Sequence, residues 1–175
     1  MIKLKKIISE SKNVGVIYHY TSYTSAIDII LQDTLKSLGT YESKKKINGK
    51  YQFGISFTRD KYFHKKDRYI GGIDVKFVID GDKLSNNYKL IPYSDGWGNE
   101  SETFLVLPNV QKGIQNILQY INHIEVYNNN WNDFENNIHD SKRWKGFNRY
   151  TDNFIDYDSY IKYLINISGK DVKHA

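Results

Sequence analysis

The 175-residue chain contains no cysteine. That excludes disulfides, thiolate zinc sites and a cysteine nucleophile, and it fits a reducing compartment. Arginine is scarce: the formal net charge of +5 is carried by 21 Lys and only 4 Arg. Lysine attracts phosphate through long-range, salt-sensitive forces, whereas base readout and tight phosphate clamps favour the planar fork of arginine. The runs Lys44-Lys45-Lys46 and Lys65-Lys66 therefore read as solvated loops, and a nucleic-acid target stays open without being indicated. Apolar runs are only a few residues long, so no segment reads as a bilayer span and no membrane partner is expected. The opening Met1 to Ile8 is basic but lacks the 7–15-residue apolar stretch of a signal peptide, and reads as an amphipathic helix. A cytoplasmic location is the expectation. Also missing are internal repeats, a Gly-rich phosphate loop, a Ser–His–Asp signature and a zinc motif. His64, His123, His139 and His174 have no metal-ligand spacing, so no metal is expected, and Gly71-Gly72 reads as a turn.

What is present is the composition of a globular protein. Hydrophobic residues make up 39% and charged residues 26%, a balance typical of folded chains, and the length suits one domain with a real core. Aromatics reach 15%, with 15 Tyr. Tyrosine often lines clefts, because its ring buries area while its hydroxyl still finds a partner. An AT-rich genome would produce the same excess, so the count decides nothing.

Along the chain, Val14 to Thr21 is rich in β-branched and aromatic residues and reads as a strand. Ser22 is placed to cap a helix in which Ile27, Ile30, Leu31, Leu35 and Leu38 recur at helical spacing until Gly39. Lys44 to Lys50 reads as a basic loop. Tyr51 to Thr58 alternates, with Tyr51, Phe53, Ile55 and Phe57 on one face and Gln52, Gly54, Ser56 and Thr58 on the other. A third strand covers Ile73 to Ile79, Gly81-Asp82 is a turn, and Tyr88 to Pro92 is a fourth strand. Ser94 to Asn99 is a polar loop before the apolar strand Glu102 to Leu107. Val110 to Tyr120 reads as a helix and Ile121 to Tyr127 as a last strand. Residues 128–175 are polar with scattered aromatics, read as an extension packing on a core of about 14–127 within one domain, 1–175. A final helix is expected near Asp158 to Ile167. Several strands with few crossover helices predict an α+β fold.

Three short segments at strand ends carry chemistry. Tyr18-His19-Tyr20-Thr21 closes the first strand, Ser56-Phe57-Thr58-Arg59 closes the second, and Glu100-Ser101-Glu102 leads into Thr103-Phe104-Leu105-Val106-Leu107-Pro108. Residues two apart in a strand share a face, so Glu100 with Glu102, and Ser56 with Thr58, can each point into one cleft. In order and content these segments resemble the mono-ADP-ribosyltransferases, and the start through Ile30, Leu31 and Leu35 also looks like DNA-targeting members and their prokaryotic or phage relatives.

The resemblance implies a split β-sandwich with flanking helices around a cleft for NAD, used as substrate. By the same resemblance Glu102 is the catalytic carboxylate, Glu100 orients or deprotonates the acceptor, and Ser56 pins Glu102. His19 would hold the adenosine ribose, with Tyr20, Thr21 and Thr58 beside it. Phe57, Tyr62 and Tyr69 are candidates to cover the nicotinamide, and Arg59 to meet the diphosphate. The implied acceptor is macromolecular, a host protein side chain if the chain is phage-encoded. The sequence departs from the family pattern at Phe57, where a small hydroxyl residue is usual, and in pairing a first-strand His with a Glu-x-Glu motif. The bland readings stand beside these. A strand histidine is more often a satisfied core or surface residue than a ligand, Ser56 and Thr58 fit a solvated strand face, and Arg59-Asp60 fits a surface turn. Against them, Glu102 abuts a strongly apolar strand, where a carboxylate is costly unless it is partnered or used. A non-catalytic nucleotide- or partner-binding module on the same fold, and a nucleic-acid-modifying transferase, are the alternatives.

Overall fold

A computed structural model describes residues 14–37, 44–63, 73–92, 102–107, 113–140 and 153–175, with the backbone alone at 136–140. The first helix, Leu38 and Gly39, His64, Lys65-Lys66, Tyr69, Gly71-Gly72, the 94–99 loop and Glu100 lie outside the described residues, as does the His139 side chain. The chain builds an eight-stranded mixed sheet in the order β10-β9-β5-β1-β4-β7-β6, with β3 paired to β4, and a two-stranded β2-β8 sheet. The strands are β1 (Val16–Thr21), β2 (Thr34–Leu35), β3 (Lys44–Ile47), β4 (Lys50–Thr58) and β5 (Val75–Asp80). They continue with β6 (Lys89–Pro92), β7 (Glu102–Val106), β8 (Ile114–Gln115), β9 (Ile121–Val126) and β10 (Val172–His174). Helices α1 (Tyr23–Leu31), α2 (Gly81–Ser85), α3 (Trp131–Asp140) and α4 (Tyr157–Ser168) complete a sheet-rich α+β arrangement. Among the described residues no helix is long and apolar enough to cross a membrane.

Local chemistry explains most of these elements. In β1, Ile17 is fully buried while Tyr18 and Tyr20 face the other way. Ser22 caps α1 as expected, its hydroxyl accepting from the Ser25 N–H. The helix ends at Leu31 and not at Leu38, because Asp33 turns left-handed at φ 45° and starts β2, which buries Leu35 as a strand residue. Lys44 to Lys50 is no loop. Asn48 and Gly49, at φ 51° and 80°, make a two-residue turn whose left-handed residues match the right-handed twist of the strands they join, and Lys44 to Ile47 pairs antiparallel with Lys50 to Phe53. Gly81-Asp82 is not a plain turn either: Asp80 accepts from the Lys83 N–H and opens α2.

The expected helix over Val110 to Tyr120 is replaced, where described, by β8 and a 3₁₀ turn at Ile117–Tyr120. Gly113 at φ 61° and Asn116 at φ 52° break the helical path that the apolar spacing suggests. Nor is β9 the last strand, since β10 runs parallel to it at the sheet edge. The tail packs Trp131, Phe154, Tyr160 and Leu164 into the same apolar core as α1 and the sheet. Asp156 and Ser159 form a reciprocal N-terminal cap for α4, and Gly169 at φ 63° ends it.

One feature of the sheet positions the site. All six residues of β1 pair with β5, but only Tyr18 is in register with β4, opposite Thr58. β1 and β4 are thus joined by this single register pair within the one sheet.

Candidate functional site

A cavity of about 260 Å³ lies where β1 meets β4. Tyr18, His19 and Tyr20 of β1 form one wall, and Ser56, Phe57 and Thr58 of β4 the other, with Lys45, Phe63 and Glu102 completing it. Thr58 stands opposite Glu102 in the β4–β7 ladder, so the two share a sheet face. The close β4–β7 approach that sets this register depends on Gly54. A Cβ there would lie 2.1 Å from the Leu105 carbonyl oxygen and 2.4 Å from the Phe104 ring.

Glu102 is the most consequential side chain. It is 7% exposed, and its Oε2 lies 3.4 Å from Lys45 Nζ. Its Oε1 is buried with no hydrogen-bond partner among the described residues. An unsatisfied buried polar atom costs about 1–3 kcal/mol, and more when charged, so such an atom calls for an explanation. Lys45 belongs to β3, where it pairs with Gln52 and so lies on the Ser56–Thr58 face. The partner of Glu102 is therefore Lys45 and not Ser56, which is exposed and whose carbonyl faces His19.

His19 reaches from β1 to β4. Its Nδ1 lies 3.4 Å from the Ser56 carbonyl oxygen, and its ring meets Phe57 edge-on at 5.8 Å between centroids. Burial pushes its pKa down to about 4, against which the Ser56 carbonyl works weakly. The ring is thus neutral at pH 7. Because a carbonyl only accepts, the proton sits on Nδ1 and Nε2 is left as an acceptor.

The remaining expected residues divide. Tyr20 lines the cleft, but its hydroxyl donates to the Lys61 carbonyl at 3.0 Å, and burial raises its pKa. Thr58 Oγ1 accepts from the Asp60 N–H at 3.0 Å, which shapes the turn leaving β4. Phe57 is 2% exposed and belongs to the core as much as to the cleft. Three residues stand apart from the cleft. Arg59 Nε donates to Thr103 Oγ1 at 3.1 Å, and Thr103 pairs with Phe57, on the face opposite Glu102. Thr21 pairs with Val75, and its carbonyl accepts from the Asp74 N–H. Tyr62 is exposed, with Lys61 Nζ 4.7 Å from its ring centroid.

A polar network braces the β1 wall. Buried Lys76 forms an ion pair with Glu125, lies 3.5 Å from the Lys61 carbonyl, and sits 5.3 Å from the Tyr18 ring centroid. Burial works to raise the pKa of Glu125, but Lys76 and His123 outweigh it and hold the carboxylate below its usual range.

The sequence reading missed Tyr18, Lys45 and Phe63. Asn48-Gly49 was the available signal for Lys45, since a tight hairpin there places it opposite Gln52 and on the cleft face. No protein-family model, no curated protein and no solved structure matches this chain.

Proposed function

We propose that the cleft at the β1–β4 junction binds the ribose–nicotinamide end of NAD and transfers ADP-ribose to a macromolecular acceptor. The observation that carries this reading is the buried Oε1 of Glu102, which has no partner among the described residues and is set among hydroxyl, imidazole and aromatic groups. A carboxylate oxygen so placed suits a sugar hydroxyl as donor. A cavity of 260 Å³ falls below the range of roughly 300–1,000 Å³ for whole ligands, so it suits part of a dinucleotide. That His19, Ser56 and Glu102 line one cavity also supports this reading.

The chemistry follows from these groups. When the bond between ribose C1′ and the nicotinamide nitrogen breaks, its electron pair leaves with the neutral nicotinamide, and positive charge develops on the sugar. Glu102 stabilises that charge by accepting a hydrogen bond from the adjacent ribose hydroxyl, as carboxylates do in glycoside hydrolysis. Neutral His19 offers Nε2 to a second sugar hydroxyl. The acceptor's nucleophile then bonds to C1′ and loses its proton, a step the family resemblance gives to Glu100. Half-buried Tyr18 and Phe63 join Phe57 as rings to cover the nicotinamide.

One observation favours a second reading. Lys45 already neutralises Glu102, as in a binding module that holds a nucleotide without cleaving it. Nicotinamide release by purified protein, with and without lysate, separates the two. Release that falls at least about 100-fold in Glu102→Gln, the loss typical when one transition-state charge contact goes, supports the transferase. Absence of release from folded wild-type protein in both conditions leaves the binding module.

A further inference from the structure

The charge of this chain is not spread over it. Residues 44–63 contain six basic residues, Lys44, Lys45, Lys46, Lys50, Arg59 and Lys61, against a single acid, Asp60. That surplus of five equals the surplus of the whole chain, so the remaining residues balance. The structure folds this segment into the β3–β4 hairpin and the turn after β4, beside the cleft.

The segment also shows aromatic rings to solvent. Tyr51 is 59% and Tyr62 is 49% exposed. Lysines accompany the rings here: Lys44 Nζ lies 4.5 Å from the Phe53 centroid, and Lys61 Nζ 4.7 Å from that of Tyr62. Lys46 stands opposite Tyr51 in the ladder, on its face of the hairpin. Lysines on an edge strand guard against pairing with other chains, but that role does not call for exposed tyrosines among them.

We infer that this hairpin is a docking surface for single-stranded nucleic acid. Lys44 and Lys46, two residues apart on one strand face, are separated by roughly 7 Å, an interval that follows the phosphates of an extended strand. Exposed rings give unpaired bases a face to stack on, which a duplex hides and an acidic protein lacks. Lysine point charges with few arginines suit binding without base readout. The hairpin is tied to the cleft by Lys45, whose neighbours Lys44 and Lys46 face the other way and whose own ammonium reaches Glu102. The docking face is thus the one turned away from Glu102, and the docking does not depend on the transferase reading.

The test is anisotropy of a labelled 16-nucleotide oligothymidylate, without NAD, from 50 to 200 mM salt. Wild-type protein is expected to bind it more tightly than a duplex of equal length or vesicles containing phosphatidylserine. The Lys44→Gln/Lys46→Gln variant is expected to bind at least about tenfold more weakly, with a salt slope smaller by about 1.4, for two phosphate contacts at about 0.7 each. Tyr51→Ala should weaken binding about 5- to 100-fold, the range for loss of one stacked base. Lys162→Gln/Lys173→Gln removes the same charge from the far side of the sequence and should leave affinity within twofold. Circular dichroism checks that every variant is folded. Equal weakening by the two double variants, a preference for duplex or vesicles, or no binding at 50 mM salt overturns the inference. Nicotinamide release, measured separately, is untouched by any of these results.

Discussion

Two side chains in the cleft are held in states that water would not give them. Glu102 keeps a carboxylate oxygen buried without a partner among the described residues, and its only described counter-charge is Lys45, at 3.4 Å. Charges removed from water in this way contribute little net stability, since desolvation offsets most of the attraction. Their retention is better accounted for by use than by folding. His19 is the second case, and it yields a measurable consequence. Its pKa falls from 6.5 in the unfolded chain to about 4 in the folded one, so between these values only the unfolded chain takes up the proton. Its contribution to stability is therefore intact above about pH 6.5 and is lost progressively as pH falls towards 4. The largest possible slope is about 1.36 kcal/mol per pH unit, and the partial contact of His19 with solvent lowers it. Urea unfolding of His19→Asn should show a shallower loss of stability than wild type from pH 6.5 to 4. Identical slopes would mean that His19 titrates as it does in water.

At the scale of elements, the site depends on how closely β4 and β7 approach. Gly54→Ala places a methyl group against the Leu105 carbonyl and the Phe104 ring, and overpacking of this kind costs about 1–3 kcal/mol. Because Thr58 and Glu102 belong to the same ladder, the strain also shifts the carboxylate. Thermal unfolding should fall by roughly 2–4 °C per kcal/mol, and nicotinamide release should fall further than the folded fraction does. An unchanged melting temperature would show that the ladder relaxes freely. This same ladder shows what was legible in the sequence. The alternation of Tyr51 to Thr58, the Ser22 cap and the apolar run after Glu102 are local signals, and they located β4, α1 and β7. The helix expected over Val110 to Tyr120 failed because Ile114, Ile117 and Leu118 keep helical spacing while Gly113 and Asn116 turn left-handed. Lys45 was hidden for another reason. A lysine run has the composition of a loop, and only the register set by Asn48-Gly49 turns its middle residue towards Glu102. Arg59 shows the converse, since its adjacency to Thr58 in sequence places it on the opposite face, against Thr103.

Across the whole molecule, the two ends of the described chain are joined by one aromatic seam. Tyr23 at the start of α1 meets the Trp131, Phe134 and Tyr160 rings at 5.3, 4.7 and 5.3 Å between centroids. Tyr160 donates to the Tyr23 carbonyl at 2.8 Å, and Tyr23 in turn donates to the Tyr127 carbonyl. Asp74, buried between them, accepts from the Tyr23 N–H and from Asn130. Residues 154–175 thus hold α1 against the sheet, and α1 follows directly from the strand that carries His19. A chain ending at Asn153 loses Phe154, Tyr160, Ile161 and Leu164 from the core, at about 1.5–3 kcal/mol each, together with the β10 edge. That sum rivals the 5–15 kcal/mol by which a whole domain of ordinary stability stays folded. The shortened protein is therefore expected to show no cooperative thermal transition, whereas Tyr160→Phe, which loses one hydrogen bond and keeps the ring, should retain the transition with a melting temperature only a few degrees lower. A truncated chain that still melted cooperatively within about 5 °C of wild type would mean that the sheet and α1 hold the cleft without residues 154–175. The origin of the cleft geometry would then lie wholly within residues 1–153.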